Sequence, residues 1–348
     1  MSAASAKRLA QLVFSLGLSG VFVWLSLRGA DLAAVATQLA GADLLWVGFS
    51  LATLAAIHVV RSERWRLLVR PVARLTFPEA SRLAAVGFMA LNILPLRLGE
   101  FARPLLLAHH ARMSRAAALA GVVVERVVDG LSMGLVLVGL LWNLGDDLAS
   151  PHVGRLRAGS VAVAGGFIAL SGLLVAAVRH EALARRWLAV VVTRRAPGLG
   201  ARLEEVRAAF TEGLGRTRDG RLSIGAMTLV YWWLAALGQW LLARAFGLPL
   251  TWLQSWTVLG LQVLGAFIPA GPGMVGTYQF LTRLAVSLFW SGPDALVKAT
   301  AFAQASWLLA FVQQVGLGVW FVARGEVRMP GLWRSADDGA ASTAAPLE

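Results

Sequence analysis

Hydrophobic residues recur along the chain in long runs, and the polar residues between them fall mostly into short segments. Six runs are close to the ~20 residues that an α-helix needs to cross about 30 Å of hydrocarbon. We therefore predict an all-α polytopic membrane protein. Its six transmembrane helices are predicted at approximately 9–27, 44–60, 116–142, 159–178, 223–246 and 298–322.

Two further apolar segments, 82–108 and 252–290, are interrupted in their middle. The first contains Pro95, and the second contains two prolines and three glycines between residues 268 and 276. Proline removes a backbone donor and disfavours helix at the preceding residue, and repeated glycine weakens a helix further. Each limb is then too short to span. We predict two re-entrant helical hairpins that enter from opposite faces of the membrane and meet near its midplane.

Basic residues indicate the orientation of these segments. The loop predicted after the second run carries five arginines, which are Arg61, Arg64, Arg66, Arg70 and Arg74. Segment 179–222 mixes arginines with apolar residues at helical spacing, which predicts an amphipathic helix beside anionic lipid. The positive-inside rule places both segments and both termini in the cytoplasm. We predict one transmembrane domain over 1–325 and a disordered cytoplasmic tail over 326–348.

The composition excludes several classes of protein. With 57% hydrophobic and 15% charged residues, the chain is not a soluble globular domain. The absence of cysteine excludes disulfides and thiolate metal sites. Basic cytoplasmic loops account for the net charge of +13, so a nucleic-acid partner is not expected. The five histidines lack metal-ligand spacing, and no nucleotide loop or catalytic triad is found. We predict no metal, no cofactor and no catalytic residue.

Polar residues nevertheless occur inside the predicted membrane segments, where an ionisable group costs roughly 2.5–3.5 kcal/mol and usually marks a substrate path or an ion pair. They form three clusters, at the first interruption, in the third run and at the second interruption. Arginine can hold two phosphate oxygens at once, and the N–H groups of glycine can approach a phosphate closely. The predicted substrate-binding residues are Asn92, Arg97, Glu100, Arg103, Glu125, Arg126, Asp129, Pro272, Gly273, Gly276, Tyr278 and Gln279.

The second cluster has two interpretations. Glu125 and Asp129 are one helical turn apart and share a face, and Arg126 can reach Asp129. The cluster either contacts the substrate or forms an internal salt-bridge network that only locks the fold. Glutamines and aromatic residues such as Gln262, Tyr278, Gln279 and Gln304 are more typical of helix packing or of the aromatic belt than of ligand binding.

Three segments resemble the motifs of a known family, in the same order and with the same spacing. They are 95–103 (PLRLGEFAR), 125–129 (ERVVD) and 272–276 (PGMVG). They are similar to motifs of the flippase-like membrane domain found N-terminal in lysylphosphatidylglycerol synthases, over about residues 8–325. The resemblance implies a lipid-flippase fold, and standalone relatives are associated with diverse lipids, including lipid-linked sugars and hopanoids. Where the family usually has a glutamate after the second interruption, this sequence has Gln279.

The expected function is lipid transport in the bacterial cytoplasmic membrane. We expect the protein to move an anionic or zwitterionic, phosphate-containing lipid between leaflets, whether or not the headgroup is aminoacylated or glycosylated. We do not expect the soluble aminoacyl-transfer domain of the synthases, or enzymatic activity. Two alternatives stay open, an intramembrane enzyme acting on a lipid phosphate and a non-transporting partner of a lipid-modifying enzyme. A homo-oligomer or such a separate enzyme is the protein partner to be considered.

Overall fold

Long helices occupy all six predicted runs. The computed structural model describes residues 3–70, 73–94, 99–112, 115–143, 153–180, 182–183, 186, 221–265, 268, 271–292 and 294–327. All regular structure in these residues is helical. The α-helices are α1 (Ala3–Leu27), α2 (Leu32–Ala40), α3 (Leu44–Val69), α4 (Phe77–Ile93), α5 (Ala102–His110), α6 (Arg115–Asn143), α7 (Val153–Arg179), α8 (Arg221–Ala245), α9 (Trp252–Gly265), α10 (Thr277–Ser287) and α11 (Ala295–Ala323).

The protein is a multi-pass helical membrane protein. By length and composition, α3, α8 and α11 can each cross a bilayer. The pair α1 and α2, bent by 80°, counts as a fourth span if it is one element. Helix α6 is as long as these, but charged residues lie in its middle. The count of six crossings stays a prediction.

The prediction of a loop directly after the second run is wrong for the first residues of that segment, which are helical. Helix α3 continues to Val69, so Arg61, Arg64 and Arg66 lie on the helix. The sequence contains no proline before Pro71 that would end the helix. Arg64 can be buried because carboxylates of α6 neutralise it, and the positive-inside rule takes no account of such a partner.

The polar segment between the first two runs is also not simply a loop. Helix α2 lies within it, and Asp31 caps the N-terminus of this helix. The Asp31 carboxylate accepts hydrogen bonds from the N–H groups of Ala33 and Ala34. Aspartate is one of the preferred residues at this position because it satisfies N–H groups that the helix leaves free.

Helices α4 and α5 form the first hairpin. A Cβ atom added to Gly99 would overlap the backbone of Ala90 and Leu91, and one added to Gly87 would lie 2.8 Å from the Cβ atom of Arg103. Gly99 is thus close to Ala90 and Leu91, whereas Arg103, which comes later in the chain, is close to Gly87, which comes earlier in α4. The chain therefore reverses its direction between the two helices. Helix α4 has 17 residues and α5 has nine. At about 1.5 Å per residue both are shorter than about 30 Å of hydrocarbon, which fits the predicted re-entrant hairpin.

Helices α9 and α10 form the second hairpin in the same manner. Gly265 lies against Leu281, and the side-chain amide of Gln262 donates to Thr282 Oγ1 at 3.0 Å. The turn between them includes a short 3₁₀ helix, Pro272–Met274. Gly276 in this turn has a φ of +84°, and a Cβ atom there would lie 2.5 Å from the backbone of α1. Glycine is therefore required both for the turn and for its close packing on α1.

The turn of the second hairpin lies against the end of α4 in the first hairpin. A Cβ atom added to Gly273 would lie 3.4 Å from the carbonyl oxygen of Asn92, at the end of α4. Trp307 of α11 donates from its indole nitrogen to the Gly273 carbonyl at 2.8 Å. The predicted contact between the two hairpins is confirmed, whereas their re-entrant character, their entry from opposite faces and their depth in the bilayer stay predictions. The predicted amphipathic segment 179–222 and tail 326–348 lie for the most part outside the described residues.

Candidate functional site

A cavity of about 640 Å³ lies where the two hairpins meet the long helices. Its volume is in the range of small-molecule binding sites. Side chains from α3, α4, α6, α7, α8, α9, α10 and α11 line it, together with residues of both hairpin turns. Of the eleven predicted site residues that the structure describes, six contribute to the lining, namely Asn92, Glu100, Arg126, Asp129, Gly273 and Tyr278.

A buried ion cluster lies beside the cavity and is centred on Glu125. The Glu125 carboxylate is 1% exposed, and it accepts hydrogen bonds from Arg64 at 3.0 Å and from Arg103 at 3.2 Å. Arg64, also 1% exposed, binds both oxygens of Asp129 at 2.5 and 3.1 Å. Charges in an apolar environment persist only when they are paired in this way. The cluster ties α3, α5 and α6 together.

The sequence interpretation paired Arg126 with Asp129, but in the structure Arg64 is the partner of Asp129. The guanidinium group of Arg64 binds both Glu125 and Asp129, which confirms that these two carboxylates share a face of α6. The Arg126 side chain is 34% exposed and lines the cavity, and its Nη2 atom is 3.9 Å from Glu125 Oε1. Arg126 is therefore only partly neutralised by its neighbour on α6.

Arg103 is not among the residues that line the cavity. It is 4% exposed, and its Nη2 atom lies 2.7 Å from Glu125 Oε2. Its guanidinium group also lies over the rings of Phe88 and Trp65, at 5.0 and 5.5 Å from their centroids. This placement assigns Arg103 to the ion cluster. The other arginine predicted to contact phosphate, Arg97, lies outside the described residues.

Arg61 is a cavity residue that the sequence interpretation missed. Its guanidinium carbon lies 3.7 Å from the centre of the Phe88 ring and 5.4 Å from that of Tyr231. Within the described ranges Arg61 has no carboxylate partner, and its buried Nε atom has no hydrogen-bond acceptor. Aromatic faces attract such a cation but do not neutralise it. The described arginines of this region are Arg61, Arg64, Arg103 and Arg126, against the carboxylates of Glu100, Glu125 and Asp129. Among these described groups the arginines outnumber the carboxylates by one.

The second hairpin turn contributes less to the cavity than the sequence predicts. Gly271 donates its N–H to Ser19 Oγ at 2.8 Å, and Gly276 donates its N–H to Gln279 Oε1 at 2.7 Å. These two donors are therefore occupied within the protein. Pro272, Gly276 and Gln279 are absent from the described cavity lining. Gln279 is 3% exposed and caps the start of α10.

Uncharged polar side chains line the part of the cavity formed by α8 to α11. Tyr278 is hydrogen-bonded to Ser306 at 2.8 Å, and Ser306 donates to Gln239 Oε1 at 3.1 Å. Gln262 donates to the same oxygen at 3.2 Å. Gln262, interpreted from the sequence as a packing residue, therefore also lines the cavity. No group of three histidines or acids in the described part of the chain could hold a metal ion.

The fold and site define a helical membrane protein with two hairpins and a polar cavity that has an arginine-rich end. The chain belongs to the family of the lysylphosphatidylglycerol synthase TM region, which matches residues 12–312. This confirms the resemblance drawn from the three sequence motifs and gives the protein a membrane, lipid-related role. No match was found among curated proteins or among solved structures.

Proposed function

We propose that the protein is a transporter that moves a phosphate-containing lipid between the leaflets of the bacterial cytoplasmic membrane. The observation that carries this proposal is the pair Arg61 and Arg126, which line a cavity with incomplete charge neutralisation. A cation held in an apolar protein is costly unless an anion joins it. A lipid phosphate supplies that anion, and the guanidinium fork suits its oxygens.

The buried ion cluster has a supporting role in this proposal. Arg64 and Arg103 neutralise Glu125 and Asp129 and so fix α6, which carries Arg126. Arg126 is thereby presented to the cavity on a helix that α3 and α5 hold in place. Arg97 precedes Glu100, which lines the cavity, and it stays a predicted phosphate contact.

Purified protein in vesicles tests the proposed transport directly. A phospholipid with a fluorescent label on its acyl chain is placed in both leaflets, and dithionite then bleaches the outer leaflet. Transport predicts that bleaching continues beyond the outer half in vesicles that contain protein and stops there in protein-free vesicles. Bleaching that stops at half in both samples contradicts transport and favours a non-transporting partner. A new headgroup species in the recovered lipid would instead indicate an enzyme.

The proposed topology has six crossings and two opposed re-entrant hairpins, with both termini in the cytoplasm. Single cysteines can report it, because the chain has none. Arg74 and His109 are exposed and flank the first hairpin. We expect cysteines at both positions to react with an impermeant maleimide only from the cytoplasmic side. A cysteine at the exposed Pro249, between α8 and α9, should react only from outside. Labelling of positions 74 and 109 from opposite sides would refute the first hairpin.

A further inference from the structure

The cavity is elongated, and its two ends differ in chemistry. Arg61 of α3 lies over Tyr231 of α8, whereas Ser50 of α3 donates to the carbonyl of Gly238 at 3.1 Å. The two helices are therefore antiparallel along the cavity. From Tyr231 to Gln239 is eight residues, or about 12 Å of helix. We call the part around Arg61 and Arg126 the arginine end and the part around Gln239, Gln262, Tyr278 and Ser306 the amide end.

Hydrogen bonding at the amide end leaves groups for a ligand. Ser306 uses its only hydrogen to donate to Gln239, so Tyr278 donates to Ser306. The Gln239 oxygen thus accepts from Ser306 and from Gln262. The Tyr278 oxygen also interacts with the Gln239 side chain, which can occupy at most one of its two amide N–H groups, and no described residue donates to the Gln262 oxygen. The amide end therefore offers a ligand an amide N–H donor on Gln239 and an acceptor oxygen on Gln262.

Acidic groups, by contrast, lie only near the arginine end of the described lining. Both oxygens of Asp129 are bound by Arg64. Glu100 is close enough to Arg126 to interact with it electrostatically. The ammonium group of an aminoacyl ester can only donate hydrogen bonds, so it could not use the Gln239 amide N–H, and no carboxylate of the described lining lies at the amide end to neutralise it. A hydroxyl group both donates and accepts, which matches the amide end.

We infer that the transported lipid carries an uncharged polyol of sugar size on its phosphate. This inference rests on the proposed function and names the substrate class of the same cavity. The phosphate lies at the arginine end, and the hydroxyl groups reach Gln239 and Gln262 at the amide end. A glycerol headgroup is shorter than the roughly 12 Å of α8 that separates Tyr231 from Gln239, and a ring polyol bridges more of this length.

Three lipids with the same acyl label separate the contributions of the phosphate, the polyol and a positive charge to transport. Phosphatidylmethanol has the phosphate alone, phosphatidylinositol adds a ring polyol, and lysyl-phosphatidylglycerol adds a cation. Losing hydrogen bonds to buried polar groups lowers affinity by roughly tenfold or more. We expect the dithionite assay to show transport of phosphatidylinositol at least about tenfold faster than that of the other two. Equal rates for phosphatidylinositol and phosphatidylmethanol, or fastest transport of lysyl-phosphatidylglycerol, would overturn the inference and leave the proposed function standing.

Substitution at the amide end then locates the preference. The readout is the ratio of the phosphatidylinositol rate to the phosphatidylmethanol rate, which does not depend on how much protein is folded. Gln239→Leu and Gln262→Leu should each bring this ratio close to one. Gln304→Leu, the same change on α11 at a residue outside the described lining, should leave the ratio unchanged. A wild-type ratio in both amide-end variants would overturn the inference, whereas transport of none of the three lipids would contradict the proposed function itself.

Discussion

Replacing Arg64 with methionine is expected to lower the free energy of unfolding by about 3–5 kcal/mol, which is the cost of removing one partner of a buried ion pair. Arg64 is the only described residue that binds Asp129 through both oxygens, and it also donates to Glu125. Its loss leaves Asp129 without that counterion and Glu125 with one strong partner fewer. The cost arises from the uncompensated charge, since methionine can fill much of the apolar volume.

Thermal unfolding in detergent measures this effect. The double variant Arg64→Met with Asp129→Leu removes the pair as a whole and should recover most of the lost stability, because no orphan carboxylate remains at position 129. Arg66→Met provides the control on the same helix. Arg66 pairs with Glu63, but its side chain is 33% exposed, so its loss should cost at most about 1 kcal/mol. An Arg64→Met protein as stable as the Arg66→Met protein would show that the cluster does not hold α3 and α6 together.

Arg61→Ala and Arg126→Ala are each expected to slow lipid transport by about 10- to 100-fold, because a hydrogen bond to a charged group contributes roughly 1.5–3 kcal/mol. Arg61 stacks on Phe88, and Arg126 is exposed to the cavity, so neither alanine substitution leaves a buried carboxylate without its main partner. Folded protein should therefore be recovered from both variants. Arg61→Lys should restore little transport, because lysine lacks the planar fork that binds two phosphate oxygens.

The matched control for transport is Arg66→Ala, which removes a charge from α3 at a position outside the described lining of the cavity. Its transport rate should equal that of the wild-type protein. Rates are measured with the dithionite assay at equal amounts of folded, reconstituted protein. Wild-type transport by a folded Arg61→Ala protein would exclude Arg61 from the phosphate site.

The hairpins could be predicted from the sequence because the signals that make them are local. Pro95 interrupts one apolar segment, and the glycines around Pro272 interrupt another, so both breaks depend on residues within a few positions. The conformation confirms this at Gly273 and Gly276, which have positive φ angles. Helix α2 could have been predicted from an equally local signal, the N-terminal cap at Asp31, but the sequence interpretation did not use it.

The pairing of the arginines could not be predicted in the same way. Arg64 and Glu125 are 61 positions apart, and no spacing rule connects residues on different helices. The loop predicted from the basic residues is also wrong for Arg61 and Arg64, since the positive-inside rule counts charge near a membrane boundary and takes no account of how side chains pack. Arg126 and Asp129 seemed a pair because they are three residues apart on one helix, yet a longer-range partner with better geometry binds Asp129.

The amide end was missed for a related physical reason. Glutamine in a membrane helix hydrogen-bonds across helices as readily as it binds a ligand, and sequence alone does not distinguish the two. Only the packing of α8, α9 and α11 brings Gln239, Gln262 and Ser306 within hydrogen-bond distance of one another. Their shared place in the cavity lining then gives these residues a functional interpretation.

A density map of the protein in nanodiscs of anionic phospholipid would show whether a lipid phosphate enters the cavity. We expect a phosphate within hydrogen-bond distance of the guanidinium groups of Arg61 and Arg126, with the headgroup extending toward Gln239. A cavity without a headgroup, with phosphate density only at the two membrane surfaces, would contradict this expectation.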